Sequence, residues 1–278
     1  MFKVYDSNFK EVKIPVDRLG FGSRALEINV GPVIYENVYS QSRRADTLVK
    51  RYAKDRQVSI VLMVSGMDET DFRMKRDTLY SFFRNLGVFF VAEEQQPFKL
   101  IKVIVNDDYD IDRQTPEIAM PEIPLKIIDT PFKQSLHTTL DIDSEGVRWN
   151  DKWGYGMGLS SDSSEWEYKF TNTNPRFYNA GTEDIKLIQQ KGSLIRLIPK
   201  ESVPWLEISD GTTSFRMNRQ TTIDSPLTLK GHQIRVNNAN VLDQTNREFL
   251  TIKKGWNNWQ IRGISKFEIE IDYRFLYD

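Results

Sequence analysis

Two acidic runs place carboxylates at alternate positions, the spacing with which a loop wraps an oxygen-seeking cation such as calcium. Asp108, Asp110 and Asp112 open as an EF-hand loop does, but Arg113 stands where glycine must turn the chain and Ala119 where a bidentate carboxylate must close it. Asp141, Asp143 and Glu145 with Gly146 come nearer, yet Lys152 holds the closing position and would repel the ion. Both runs read as solvated turn carboxylates, and no metal site is expected. The two histidines, His137 and His232, lie far apart with no neighbouring ligand at metal spacing. No serine sits in a G-x-S-x-G setting, a chain without cysteine has no thiol nucleophile, and Gly20-Phe21-Gly22 leads into neither a helix nor a phosphate-gripping lysine. The chain reads as a non-enzyme with no catalytic residue and no cofactor.

The remaining chemistry is aromatic. All six tryptophans, Trp149, Trp153, Trp166, Trp205, Trp256 and Trp259, fall in the second half. Exposed indoles stack on sugar faces, but rings of this size more often fill a sandwich core or a subunit interface. Trp256, followed by Asn257 and Asn258, is the best candidate for a sugar contact.

Charge narrows the partners. Lys and Arg number 38 against 39 Asp and Glu, a net charge of -1 that argues against a dedicated duplex-DNA binder, which needs a basic face. The basic run Arg43, Arg44, Lys50 and Arg51 is broken by Asp46 and reads as a solvated or inter-subunit surface. No disulfide can form. The N-terminus has charged residues where a signal peptide needs an apolar run, and no stretch approaches the roughly 20 apolar residues of a membrane span. Synthesis in a cytoplasm, without membrane association, is expected.

The elements that must position these residues are mostly strands. Phe2 to Tyr5 and Phe9 to Ile14 alternate around Asp6-Ser7-Asn8 as a hairpin. Short strands are expected at Ala25 to Val30, Val33 to Tyr39 and Val58 to Val64, with Gly31-Pro32 marking a bulge or an edge. Asp68 to Leu86 carries Phe72, Leu79, Phe82, Phe83 and Leu86 near helical spacing, with acids at its start and Gly87 at its end. Val88 to Ala92 and Phe98 to Val105 form a second hairpin. Four prolines between Thr115 and Pro131 keep that stretch extended, and the domain boundary falls near Phe132 to Ser135. Leu136 to Asn174 reads as a long connection with short strands, and many evenly spaced short strands follow to the end. The fold class is therefore mainly β with one helix. Residues 1–134 are an α+β domain, a split-barrel-like sheet with one α-helix and a β-hairpin. Residues 135–278 are a connector and a β-sandwich, a jelly roll of galectin-like or carbohydrate-binding-module-like type.

Phe177-Tyr178-Asn179-Ala180-Gly181-Thr182 resembles the asparagine-x-glycine-threonine turn with which siphophage distal tail proteins open their C-terminal jelly roll. Phe249 to Gly263, with Gly255-Trp256-Asn257 inside it, resembles the family's late glycine-x-asparagine turn, followed by a last strand like Phe267 to Tyr273. The helix ending in Phe82-Phe83, the hairpin after it, the run closing with Asp129-Thr130-Pro131-Phe132 and the glycine-rich Trp153 to Leu159 are similar more loosely. Glu183-Asp184-Ile185 depart from the pattern, because relatives often carry proline there.

The resemblance implies a virion structural protein of the bacteriophage tail tip or baseplate, assembled in the host bacterial cytoplasm. Its first domain would form a hexameric ring at the distal end of the tail tube. The ring would meet the tail tube protein on one side and the tail-associated hub or lysin protein on the other, with receptor-binding proteins around it for host attachment. DNA would pass the lumen without being gripped, so some of Asp107, Asp108, Asp110 and Asp112 are expected to face the lumen or solvent. The alternative is a carbohydrate-binding β-sandwich module contacting host cell-wall polysaccharide.

Overall fold

Alternating residues at the N-terminus, Phe2 and Val4 inward and Lys3 half out, make a strand whose turn is fixed by Asp6, whose carboxylate accepts the Asn8 and Lys10 amides at 2.8 and 3.0 Å. The computed structural model describes residues 1–41, 46–106, 109–150, 152–160, 162, 166–190 and 192–278. The chain divides into two units, Met1–Lys133 with Asp278, and Gln134–Tyr277.

The first unit contains β1 (Phe2–Tyr5), β2 (Glu11–Val12), β3 (Gly22–Gln41), β4 (Asp46–Ser65), α1 (Glu69–Leu86), β5 (Val88–Glu93), β6 (Lys99–Val105), β7 (Arg113–Thr115), β8 (Ile118–Ala119) and β9 (Glu122–Ile127). The strands form one sheet in the order β2-β1-β5-β6-β9-β4-β8-β7, with β3 added on β4. Val58 of β4 pairs with Val30 of β3 and with Leu125 of β9, so those neighbours lie on opposite edges of β4. α1 buries Phe72, Leu79 and Phe83 in a core with Ile60, Leu62, Val91, Val103 and Ile123. Asp68 caps it by accepting the Asp71 amide at 2.8 Å, and Gly87, at φ 60°, ends it by donating to the Phe83 carbonyl.

One expectation changes in scale. The short strands expected between Ala25 and Val64 are parts of a single antiparallel hairpin of two 20-residue strands. Gly31-Pro32 does mark a bulge, at the register shift between Val30 and Val33.

β10 (Lys133–Ser135) straddles the division between the units. The second unit continues with α2 (Thr139–Glu145), β11 (Lys169–Phe170), β12 (Arg176–Asn179), β13 (Ile185–Lys186), β14 (Leu194–Pro199), β15 (Leu206–Ser209) and β16 (Ser214–Met217). It ends with β17 (Leu227–Lys230), β18 (Gln233–Val236), β19 (Ala239–Asn240), β20 (Thr251–Ile252), β21 (Gly255–Asn258), β22 (Gln260–Arg262), β23 (Phe267–Asp272) and β24 (Leu276–Tyr277). A six-stranded sheet β11-β23-β14-β17-β18-β19 is accompanied by a three-stranded sheet β16-β15-β22 and by the pairs β12-β21 and β13-β20. Alternate residues Ile195, Leu197, Ile269 and Ile271 face inward, with Tyr168, Phe177, Trp259 and Tyr273 buried beside them.

The fold is mainly β, as expected, and α2 is a second helix where a connection was read. Asp141 closes its first turn by accepting the Thr138 amide at 2.8 Å, and Ile142 is its buried apolar anchor.

Candidate interfaces

The outer part of the β3–β4 hairpin is an exposed feature of the first unit. Among the described residues, β9 and β8 pair with β4 only over Val58–Val61 and Val64–Ser65, so beyond Val58 the hairpin continues as a two-stranded arm. The arm exposes Val38, Tyr39, Leu48, Val49 and Tyr52, with Val49 64% exposed. Its cations lie along it: Arg51 over the Tyr35 ring at 4.0 Å, Lys50 over Tyr52, and Lys54 paired with Glu36 at 2.8 Å. The basic run read as a solvated or inter-subunit surface reaches this arm through Lys50 and Arg51; Arg43 and Arg44 lie outside the described residues.

Where the arm leaves the sheet, a cleft of about 1020 Å³ is lined by Asn29, Gly31, Arg56, Ser59, Glu93 and Glu122, among others. Its acids are already engaged. Glu122 accepts the Ser59 hydroxyl at 2.5 Å, and Glu93 pairs with Lys133 at 2.9 Å. Arg56 is buried and bound to Asp278 at 2.5 Å, and its Nε and Nη1 donors have no partner among the described residues.

The acidic runs separate. Asp110 and Asp112 are exposed, while Asp107 and Asp108 lie outside the described residues. Asp141, Asp143 and Glu145 are not turn carboxylates but lie on α2, each with its own task. Asp141 caps the helix, Asp143 accepts the Tyr168 amide at 2.9 Å, and Glu145 pairs with Lys152 at 2.8 Å. Lys152, whose charge argued against an ion, is a cation that Asp141 and Glu145 hold. Among the described residues, no group of three acids or histidines is gathered for a metal. His137 packs on Trp153, and His232 is exposed at the β17–β18 turn.

The tryptophans divide by environment. Trp153, Trp166 and Trp259 are buried. Trp205 and Trp256 each carry a guanidinium, Arg216 at 4.5 Å and Arg176 at 4.1 Å, and Trp149 stacks on Tyr155 with 2° between the ring planes. Of the sugar-contact candidates, Trp256 is 43% exposed and Asn258 is exposed. Asn257 is buried and occupied by the turn, donating to the carbonyls of Lys253 and Gly255 at 2.7 and 3.1 Å and accepting the Lys253 amide at 2.9 Å. Both of its amide hydrogens are engaged, so it is a turn former.

No protein-family model matches the sequence, and no curated protein does. The crystal structure of SPP1 Dit (gp 19.1), described as a paradigm of the hub adsorption apparatus in phages infecting Gram-positive bacteria, matches 99% of this chain and 100% of its own, with a TM-score of 0.67 at 11% identity. The chain has the fold of a distal tail protein. A chain of the phage p2 baseplate in its activated conformation with Sr is 12% identical over 98% of this chain and 97% of that one, at a TM-score of 0.44.

The turn that carried the distal-tail resemblance is built by its named residues. Asn179 accepts the Gly181 amide at 3.0 Å and donates to the Glu183 carbonyl at 3.1 Å. Gly181 passes so close to β24 that a Cβ there would lie 2.6 Å from the Leu276 carbonyl oxygen. Thr182 then donates its amide to that oxygen at 2.8 Å. At the later turn Gly255 takes φ 79°, where a side chain would be strained.

Proposed function

We propose that this chain is a structural component of a phage tail tip. Its first unit forms a ring, of six copies by the distal-tail resemblance, at the distal end of the tail tube. The ring joins the tube protein to the hub and carries the receptor-binding apparatus as part of the virion. The observation that supports this most is the coverage: the fold likeness to a hub protein runs through 99% of one chain and all of the other. A shared single domain would match only part of each. The exposed arm adds a surface suited to subunit contact, and rings arise when one heterologous interface closes on itself. Asp110 and Asp112, exposed beside the proline-rich run, are assigned to the lumen or to solvent.

Light scattering on the purified chain tests the reading. A mass near six times 32.5 kDa, or twice that for paired rings, is expected. A monomer at every concentration, alone and with a tube or hub protein added, would remove the ring.

A further inference from the structure

One buried cation of the first unit is only partly answered. The side chain of Arg56, on β4, is 4% exposed, and its guanidinium offers N–H donors on all three nitrogens. Asp278 accepts from Nη2 at 2.5 Å, while Nε and Nη1 have no partner among the described residues. Unmatched donors on a buried charge cost free energy, and a carboxylate that meets two of them in parallel recovers more than one that meets a single nitrogen. The pair is also lopsided in exposure. The Asp278 side chain is 57% exposed, so it is the member that can leave. Arg56 lies on the wall of the cleft of about 1020 Å³ at the base of the arm, and Lys126 adds an exposed cation to that wall. The acids of the cleft are already held: Asp55 accepts the Arg56 amide at 2.8 Å, Glu93 pairs with Lys133, and Glu122 accepts the Ser59 hydroxyl.

We propose that this cleft receives the carboxylate of an aspartate or glutamate side chain from a second polypeptide, which replaces Asp278 on Arg56 and engages the guanidinium through two donors. Asp278 is then an internal stand-in that keeps the cation paired until the partner arrives. Nε and Nη1 are closed off from solvent while Asp278 is in place, so the incoming carboxylate enters by displacing it. The remaining acids select the ligand. Asp55, Glu93 and Glu122 repel a phosphate chain or a polyacidic run, and a single carboxylate carried among neutral or basic residues avoids that repulsion. A polypeptide also brings backbone amides, for which the exposed Gln57 and Asn106 of the wall offer both donors and acceptors. A free carboxylate would leave most of the cleft unfilled. The site is built from this chain's own residues and does not depend on how many copies assemble.

Chemical rescue tests this. Asp278→Ala strands the buried guanidinium and is expected to lower the thermal midpoint of the full chain, followed by circular dichroism. Acetyl-Gly-Asp-Gly-amide, whose one charge is the aspartate side chain, is then added at millimolar concentration and constant ionic strength. A ligand that binds the folded state raises the midpoint, so the peptide is expected to recover most of the loss, and to recover none of it when Arg56→Met is combined with Asp278→Ala. No recovery, or equal recovery by acetyl-Gly-Asn-Gly-amide, would overturn the proposal. Equal recovery by acetate would overturn the polypeptide as the source, and equal recovery by inorganic phosphate would overturn the preference for a carboxylate. An unchanged midpoint in Asp278→Ala would mean that Arg56 needs no carboxylate and would overturn the site itself. Should Asp278→Ala not fold, Asp278→Asn, which keeps a carbonyl acceptor for Arg56, takes the same additions and gives the same outcomes.

Discussion

The guanidinium of Arg176 lies 4.1 Å from the centre of the Trp256 ring, and Tyr178, two residues along the same strand, meets that ring edge-on at 5.2 Å. A cation over an indole is worth about 0.5–1 kcal/mol at an exposed site. The same contact occupies a surface that a sugar would need for stacking. Trp256→Ala is therefore expected to lower the stability of the second unit by about that amount in denaturant unfolding. Sedimentation with host cell-wall polysaccharide should be unchanged by it. Loss of binding in this variant alone would restore the sugar-binding alternative.

Asp210 joins two strand regions far apart in sequence. Its carboxylate accepts the amides of Thr212, Thr213 and Thr251 at 2.7, 2.7 and 2.8 Å, and the Thr213 hydroxyl at 2.8 Å. Burial pushes the carboxyl up, but the backbone donors outweigh it and hold it below the ordinary range. A lowered folded value contributes stability above the unfolded carboxylate pKa of about 3.9, and that stability is lost as pH falls through the folded value. Asp210→Ala leaves buried donors unmatched and is expected to cost about 1–3 kcal/mol near neutrality. Its unfolding midpoint should also fall less than that of the parent between pH 5 and the acid limit. All six tryptophans belong to the second unit, so intrinsic fluorescence follows it selectively.

Asp272 behaves in the opposite sense. Burial raises its carboxyl above the ordinary range, and the Thr138 hydroxyl, the Leu140 amide and Arg274 only partly restore the charge. One oxygen, Oδ1, has no hydrogen-bond partner among the described residues. A raised folded value gives a contribution fully present below the unfolded carboxylate pKa and lost as pH rises through the folded value. Asp272→Asn should remove that loss and match or exceed the parent's midpoint at pH 7. A variant clearly less stable at pH 7 would mean that the charge is needed where it stands.

Legibility in the sequence followed the strength of local physics. α1 could be read because Asp68, the apolar Phe72, Leu79 and Phe83, and Gly87 all specify the same helix. The turn at Asn179-Ala180-Gly181-Thr182 could be read because glycine and asparagine there do what their types allow. α2 was hidden because seven residues with one apolar anchor carry no period. The arm was hidden for a related reason. Asp46 to Asp55 has no buried face to impose alternation, so a 20-residue strand read as a short one preceded by polar chain. At Asn257 the turn and the sugar contact could not be told apart in the sequence, because a side chain that closes a turn and one that meets a ligand look alike until its partners are known.

The arm gives the most direct check on how a surface can matter to assembly without mattering to the monomer. Leu48 and Val49 are 51% and 64% exposed, and substitutions at positions that exposed usually move stability by about 0.5 kcal/mol or less. If the arm is covered by a second copy, the same side chains are desolvated in the oligomer, where a buried lysine ammonium has no apolar match. Leu48→Lys with Val49→Lys should therefore leave the thermal midpoint of a dilute, monomeric sample within a few degrees of the parent. The oligomer should dissociate at concentrations where the parent stays assembled. Analytical ultracentrifugation across a hundredfold dilution series separates the outcomes. An unchanged association constant would place the ring contact elsewhere on the first unit, and a collapsed midpoint would mean that the arm is needed for folding of the subunit itself.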